Sequence, residues 1–338
     1  MRISHGIPVQ PEAPVALTIG NFDGVHLGHQ AMLARLKEAA ARLGLESCVM
    51  IFEPHPREFF APDKAPTRLT SLREKLELLA AAGVERVQIC RFDFDFARIP
   101  AEDFIVRILA QGLDARWILV GDDFRFGARR AGDFAMLKAF SGEYGFEVEE
   151  MPGYTVNGLR VSSTAVRNAL AAGNLELVKL LLGRFYSISG RVVNGDKLGK
   201  KIGFPTANIQ LKHNRPPLSG IFAVEVEVGA QGDGKCASLD APTLNTLRGV
   251  ASLGVRPTVH EHGKPVLEAY LFDFDQEIYG RHLRVHFLHK LRNEEKYPDL
   301  ETLTRQIGRD VDNAKSYFSS LSSAAGSPVE KGVFRTSR

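Results

Sequence analysis

The segment Gly20-Asn21-Phe22-Asp23-Gly24-Val25-His26-Leu27-Gly28-His29 sets two imidazoles among three glycines, where an apolar run gives way to a helical pattern. Gly20 and Gly24 let backbone approach a ligand, and Gly28 leaves room in the first helical turn. His26 and His29, three apart at a helix start, project on one side. There the unpaired amides and the positive dipole end favour phosphate, and Asp23 lies within the same loop. Two imidazoles beside such an anion can stabilise charge developing on an α-phosphate without acting as nucleophiles. Alone, a His-x-x-His pair reads equally well as a weak metal site or as two surface histidines, but the glycines and the strand-to-helix context favour phosphate. A second anion element is Arg160-Val161-Ser162-Ser163-Thr164-Ala165-Val166-Arg167. Ser163 and Thr164 sit where a helix begins, with Arg160 before it and Arg167 about one turn inside, which suits a pyrophosphate. Its plainer reading is a serine N-cap with a solvent-facing arginine.

The other chemistry-bearing stretch runs from Gly190 to Asn208. Gly195, Gly199 and Gly203 allow a loop to close over phosphates, and Lys197, Lys200 and Lys201 are available to offset their charge. It has neither the GxxxxGK[ST] pattern of a Walker loop nor a protein-kinase catalytic loop. Pro205 makes a rigid entry, after which Thr206 and Asn208 supply an oxygen pair on alternate positions, a donor type that suits magnesium. The bland alternative is a glycine-rich hairpin with a basic tip.

The elements that must position these residues alternate from Val15 to about Val148. Val15–Ile19, Cys48–Phe52, Val84–Cys90, Trp117–Val120 and Phe146–Val148 read as short buried strands. Leu27–Leu43, Leu72–Ala82, Ala101–Gln111 and Phe134–Tyr144 read as helices between them. Ser71-Leu72-Arg73-Glu74 is a capping box, and Pro100 and Gly112 bracket the third helix. Such alternation predicts a parallel sheet covered by helices, with ligands at the carboxyl ends of its strands. Two short helices follow, Thr164–Ala172 and Leu175–Leu182, ending at Gly183. Beyond them Tyr186–Val193, Ile221–Val228, Ala251–Leu253, Leu267–Phe272 and Leu283–Leu288 show partial alternation, as in a small β-barrel or sandwich, and a small antiparallel barrel is the expected fold. A helix over Leu300–Phe318 covers it, and the Ser-, Ala- and Gly-rich end is expected to be disordered. The expected division is 1–182, 183–320 and a tail, 321–338.

Composition narrows the class. At 338 residues, 44% hydrophobic and 25% charged, the chain reads as a two-domain globular protein. Its 43 basic and 40 acidic residues leave +3, too even a balance to argue for a nucleic-acid surface. Cys48, Cys90 and Cys236 form no CxxC pair, against a disulfide framework or a cysteine zinc site. No apolar stretch reaches membrane-spanning length, and the start carries no signal-peptide core, so a cytoplasmic protein is expected. Nothing in the pattern specifies an oligomeric state.

The HxGH and SSTxxR elements resemble those of the nucleotidyltransferase superfamily. GNFDGVHLGH, then FEPHP at Phe52–Pro56, then GDDFRFG at Gly121–Gly127, are similar to the adenylyltransferase half of bacterial FAD synthetases, across the whole first half and in order. The resemblance implies that Pro54, His55, Pro56, Phe60 and Phe126 line a flavin side and that Asp123 stands at the nucleotide–flavin junction. Pro205-Thr206-Ala207-Asn208 resembles the riboflavin kinase signature, supported by Gly220–Val224, Leu253–Thr258 and Glu268–Phe274. By that pattern Glu268 is the base that takes a proton from the ribityl 5′-hydroxyl, Thr206 and Asn208 hold magnesium with ATP, and Arg292 with the Asn293–Tyr297 stretch forms a flap near the flavin. The implied activities are phosphorylation of riboflavin by ATP to FMN, then adenylylation of FMN to FAD with release of pyrophosphate. Flavin is then substrate and product, with neither nucleic acid nor membrane as partner. A chain retaining only one of the two activities, another nucleotidyltransferase with an unrelated barrel, and an RNA-binding barrel are the rival readings. The last lacks basic residues interleaved with aromatics.

Overall fold

A computed structural model describes residues 1–195, 199, 202–211, 215–229, 244–255 and 265–325, with backbone alone at 244–245, 255 and 322–325. The chain divides into two units, the first essentially residues 1–186 and the second taking up from Ser187.

Six strands build the sheet of the first unit: β1 (Arg2–His5), β2 (Val15–Ile19), β3 (Glu46–Glu53), β4 (Arg86–Arg91), β5 (Ala115–Gly121) and β6 (Glu147–Met151). All pairings are parallel, in the order β1-β4-β3-β2-β5-β6. Every residue of β2 is buried, as a strand covered on both faces requires. From β2 the chain winds one way through β3 and β4 and the other way through β5 and β6. The order therefore reverses beside β2, and the crevice at the carboxyl ends of β2 and β5 is where such a sheet receives ligands.

The helices start and stop for local reasons. Helix α1 (Leu27–Leu43) closes at Gly44, whose φ of 65° is left-handed. After the short α2 (Pro56–Phe60), helix α3 (Leu72–Ala81) opens with the reciprocal Ser71–Glu74 box. The short α4 (Phe94–Ala97) precedes α5 (Ala101–Asp103), which continues as a π-helix over Phe104–Gly112 rather than as the α-helix expected there. Leu113 N donates to Ile108 O, one residue wider than an α-helical bond. Gly112 does more than stop this helix, since a Cβ on it would stand 2.2 Å from Pro8 O. Helices α6 (Phe134–Tyr144), α7 (Ser163–Ala171) and α8 (Leu175–Leu182) complete the unit, with a small hairpin of β7 (Thr155–Val156) and β8 (Leu159–Arg160) ahead of α7.

The second unit is a closed barrel of β9 (Tyr186–Val193), β10 (Thr206–Gln210), β11 (Gly220–Val228), β12 (Leu244–Val255), β13 (Pro265–Leu271) and β14 (His282–Arg292), in the order β10-β13-β12-β11-β14-β9. Alternation fills the inside: Leu267, Ala269 and Leu271 are buried, and Phe222 meets Phe287 edge-on at 5.1 Å. Helix α9 (Leu300–Ala325) packs on β11, β12 and β14 through Val311, Ala314 and Phe318. It runs seven residues past Phe318, so Ser319–Ala325 is helical where a disordered tail was expected. The remainder, 326–338, lies outside the described residues.

Candidate active sites

At the switch of strand order, the loop after β2 holds the imidazole pair. His26 is the N-cap of α1, and its Nδ1 accepts from His29 N at 3.3 Å. That bond leaves the proton on Nε2, which becomes the donor toward a ligand. The two rings stack with centroids 3.7 Å apart, so they do share one side, and the ring of His26 fills the space that Gly28 leaves. Burial pushes the His26 imidazole down to about 4 against the opposing pull of Asp23. His29 is held well below its ordinary value by burial and by His26, so both rings are neutral donors at pH 7.

Gly24 has φ 80°, and a Cβ there would stand 2.7 Å from Leu69 Cδ1, so only glycine lets this loop close down. Asp23, expected to face phosphate, instead pins the loop. Its carboxylate accepts from Leu69 N and Thr70 N at 3.0 to 3.1 Å and pairs with Arg167 Nη2 at 2.5 Å. Arg167 also donates from Nε to Thr67 O. The cap of α7 is Ser162, while Ser163 Oγ donates to Asp23 O at 2.9 Å and Thr164 follows in the first turn. The SSTxxR element is thereby tied to the imidazole loop, 140 residues away in sequence. Gly20 N donates to Met50 O, binding the ends of β2 and β3. Arg160 reaches Asp122 at 2.8 Å, not its neighbour Asp123, which is exposed just beyond β5. Sequence reasoning passed over Asp122, although the doubled aspartate was its signal.

On the expected flavin side, Pro54, His55 and Pro56 lead from β3 into α2, where His55 caps the helix by accepting from Arg57 N at 3.1 Å. Burial pushes this imidazole also to about 4. Phe60, 66% exposed, borders a cluster in which Phe59 meets Phe60, Phe92 and Phe94 at 4.8 to 5.6 Å. Phe126 is different: it is buried in the core against Phe104, and the ring stacked on it at 5.5 Å, Phe124, is the partly exposed one. Phe126 thus supports the wall rather than lining it.

In the barrel, register brings the expected residues together. Thr206 lies opposite Tyr270, Asn208 opposite Glu268, and Glu268 opposite Ser252, so Thr206, Asn208 and Glu268 share the face that does not fill the barrel. The glycine loop bends over this face: a Cβ on Gly195 would overlap the Asn208 amide at 2.3 Å, and one on Gly199 would sit 3.2 Å from Thr206 Oγ1. A hydroxyl, an amide carbonyl and a carboxylate over a glycine cradle form an all-oxygen donor set that fits a magnesium ion. Gly203 is described with φ 86°, but Lys197 and Lys200 lie outside the described residues. Glu294, within the Asn293–Tyr297 stretch, lays its carboxyl on Gly254 and accepts from Ser252 Oγ at 3.5 Å. Arg292 departs from expectation: it makes a bidentate bridge to the buried Asp310 of α9 at 2.7 and 2.8 Å, with Tyr297 against its face. Its guanidinium fastens α9 to β14.

A family model described as FAD synthetase matches residues 9–165, and one described as riboflavin kinase matches residues 182–318. The proteins named bifunctional riboflavin kinase/FMN adenylyltransferase from Escherichia coli K12 and Pseudomonas fluorescens are 46% and 47% identical over 94% of this chain, and over 97% and 96% of their own. The chain belongs to the bifunctional riboflavin kinase/FMN adenylyltransferase family. The Haemophilus influenzae member is 45% identical over 90% of the chain and 94% of its own length. Among solved structures, one titled macrolide-efflux protein from Streptococcus pneumoniae shares the fold, with a TM-score of 0.76 at 27% identity over 92% of this chain and 97% of its own. Among the described residues no helix is long and apolar enough to cross a membrane. Burial pushes the thiols of Cys48 and Cys90 up to about 12, so neither is a nucleophile.

Proposed function

We propose that the barrel phosphorylates riboflavin to FMN with ATP and that the parallel-sheet unit joins FMN to the adenylyl group of a second ATP, giving FAD and pyrophosphate. What carries the reading is one pairing on a chain matched over 94% of its length by bifunctional relatives. An imidazole pair stands at the mouth of a parallel sheet, and a Thr–Asn–Glu set shares one barrel face.

In the barrel, Glu268 accepts the proton of the ribityl 5′-hydroxyl as its oxygen attacks the γ-phosphorus and ADP leaves. Thr206 and Asn208 would hold magnesium, which when bound neutralises phosphate charge. Gly195, Gly199 and Gly203 admit the phosphates, with Lys197 and Lys200 as their counter-charges. In the sheet unit FMN brings its own nucleophile, a phosphate oxygen. A bond forms from it to the α-phosphorus while the bond to pyrophosphate breaks. His26 and His29 donate to the charge that develops there, with the amides of Ser163 and Thr164 and the second Nη of Arg167 on the leaving pyrophosphate. Gly20, Gly24 and Gly28 give the phosphates access, and Asp23 fixes the loop. Asp123 and Arg160 bound the nucleotide, and Pro54, His55, Pro56 and Phe60 offer an apolar face to the flavin ring. The sparse cysteines, with Cys48 and Cys90 free, suit a cytoplasmic setting.

Incubation with riboflavin, ATP and magnesium, followed by chromatography, should yield both FMN and FAD, with ADP and pyrophosphate as by-products. FMN that accumulates without any FAD would remove the second activity and leave the first.

A further inference from the structure

The crevice of the sheet unit contains cations already neutralised by carboxylates. Arg167 is paired with Asp23, and Arg68 bridges Glu53 at 2.7 Å and Glu58. Lys75, in the first turn of α3, is not. It is 5% exposed, yet makes no ion pair or hydrogen bond through its ammonium among the described residues. The charges facing it are Asp23, Glu53, Glu58 and Arg68, and its own charge bears on His29 and His55. Three further buried atoms here have no partner: Asn21 Oδ1 after β2, Glu53 Oε2 at the end of β3 and His29 Nδ1. A buried lysine without a partner is costly, and burial holds its ammonium below the ordinary range. Nothing in the packing requires it, because position 75 continues the Leu72, Leu76, Leu79 stripe that faces the core, where a methionine would serve.

We propose that Lys75 is a phosphate-contacting residue of adenylyl transfer, the unneutralised cation that lets the phosphate of FMN approach the α-phosphate of ATP. This rests on the assignment of the crevice to adenylyl transfer. Two anions must meet there, and their repulsion is strongest where water is excluded. Helix α3 starts just after Leu69 and Thr70, whose amides hold Asp23 of the imidazole loop, and the charge of Lys75 bears on both His29 and His55, which sets it on the side where the two phosphates would come together. It keeps its proton throughout. The phosphate oxygen of FMN bonds to the α-phosphorus, and pyrophosphate carries away the displaced electron pair.

The test is steady-state FAD formation by the full-length Lys75→Met and Lys75→Arg variants at varied FMN, alongside riboflavin phosphorylation and melting followed by Trp117 emission. We expect Lys75→Met to lose about a hundredfold in kcat/KM for FMN, and Lys75→Arg to stay within about tenfold of the parent. Riboflavin phosphorylation should be unchanged, and the melting temperature of Lys75→Met unchanged or higher, because a desolvated charge has been removed. Parent-like kcat/KM in Lys75→Met overturns the proposal. So does a fall in activity accompanied by a lower melting temperature, which would make Lys75 a structural counter-charge for Asp23 and Glu53. His29→Ala, assayed in parallel, separates the two levels. If it too retains the parent rate, the crevice is not the adenylyl-transfer site and the proposal falls with it. If only Lys75→Met does, the proposal alone fails.

Discussion

The crevice of the parallel sheet and the face of the barrel, the two sites proposed for phosphate chemistry, are built with opposite architectures. In the crevice the chemistry-bearing groups sit at element ends, buried or half-buried, and are fixed by side-chain-to-backbone bonds: His26 on the His29 amide, Asp23 on Leu69 and Thr70, Ser163 on the Asp23 carbonyl. On the barrel Thr206, Asn208 and Glu268 are half-buried and owe their grouping to strand register alone. A buried site can supply neutral imidazole donors, because burial shifts their protonation, alongside a lysine with no carboxylate partner. A site on a strand face is better suited to an ionised carboxylate base. The architecture thus matches the nucleophile. A phosphate oxygen, already ionised, needs charge management, whereas an alcohol needs a proton acceptor.

The largest effect that would sharpen this contrast is expected on the barrel. Glu268→Gln keeps the size and the amide-like shape but removes the acceptor, and general-base removal typically costs roughly a hundredfold to ten-thousandfold. Riboflavin phosphorylation should collapse by that factor while FAD formation from supplied FMN stays near the parent rate. If phosphorylation persists at the parent rate, Glu268 is not the base. Next in size, His29→Ala should slow FAD formation about a hundredfold, on the order of 3 kcal/mol of transition-state stabilisation, and spare FMN formation. Equal losses in both assays would mean that the two sites are not independent.

Which parts of each site can be read from sequence follows the same division. The imidazole loop and α1 are legible because loop, cap and apolar face are contiguous from Gly20 to Gly44. Lys75 and Glu53 are not, because only the parallel topology brings the end of β3 and the start of α3 to the same crevice. The signal for Lys75 was nonetheless present, as a charge on an otherwise apolar helical stripe. In the barrel, Thr206 and Asn208 announce themselves through the Pro-Thr-Ala-Asn run, but β10 itself does not, since Ile209 is its one buried residue. Strand β1 escaped for a similar reason: four residues on a sheet edge with no buried position carry no alternation. The bridge from Arg292 to Asp310 was not legible because Asp310 lies 18 residues on, in a helix whose contact with β14 periodicity cannot reveal.

Stability should separate the regions too. Asp23 is 5% exposed and holds two amides and Arg167, so Asp23→Asn leaves an arginine without its counter-charge. Breaking such a pair costs about 3 kcal/mol. For a unit of this size that lowers the melting temperature by roughly 6 to 12 °C. The single tryptophan, Trp117, is buried in β5, so its emission follows the sheet unit. The drop should appear there, while riboflavin phosphorylation below the melting range is retained. A melting temperature within about 2 °C of the parent would mean that the Asp23 carboxylate is not what pins the loop.

The smallest effect is a pH dependence confined to the crevice. His26 and His55 both titrate near 4 in the folded chain, against an ordinary value of 6.5, chiefly because burial disfavours the imidazolium. A folded value below the unfolded one means that the unfolded chain binds the proton first. The stability conferred by keeping these rings neutral is therefore complete above about pH 6.5 and declines as pH falls toward 4. Between pH 7 and pH 5.5 each ring should cost about 1 kcal/mol, less for the more exposed His55. Urea unfolding followed by Trp117 emission should show this loss, and His55→Gln should remove part of it. On the barrel, His286 is also lowered by burial, but Glu227 stands 3.0 Å away and opposes the shift, so kinase activity after brief exposure to pH 5.5 should survive better than adenylyl transfer. An emission-detected stability that stays flat from pH 7 to 5.5 would show that the imidazoles bind protons as readily in the folded crevice as in the unfolded chain. Burial would then leave the imidazoles unshifted, and the contrast between a desolvated crevice and a register-built face would lose its electrostatic basis.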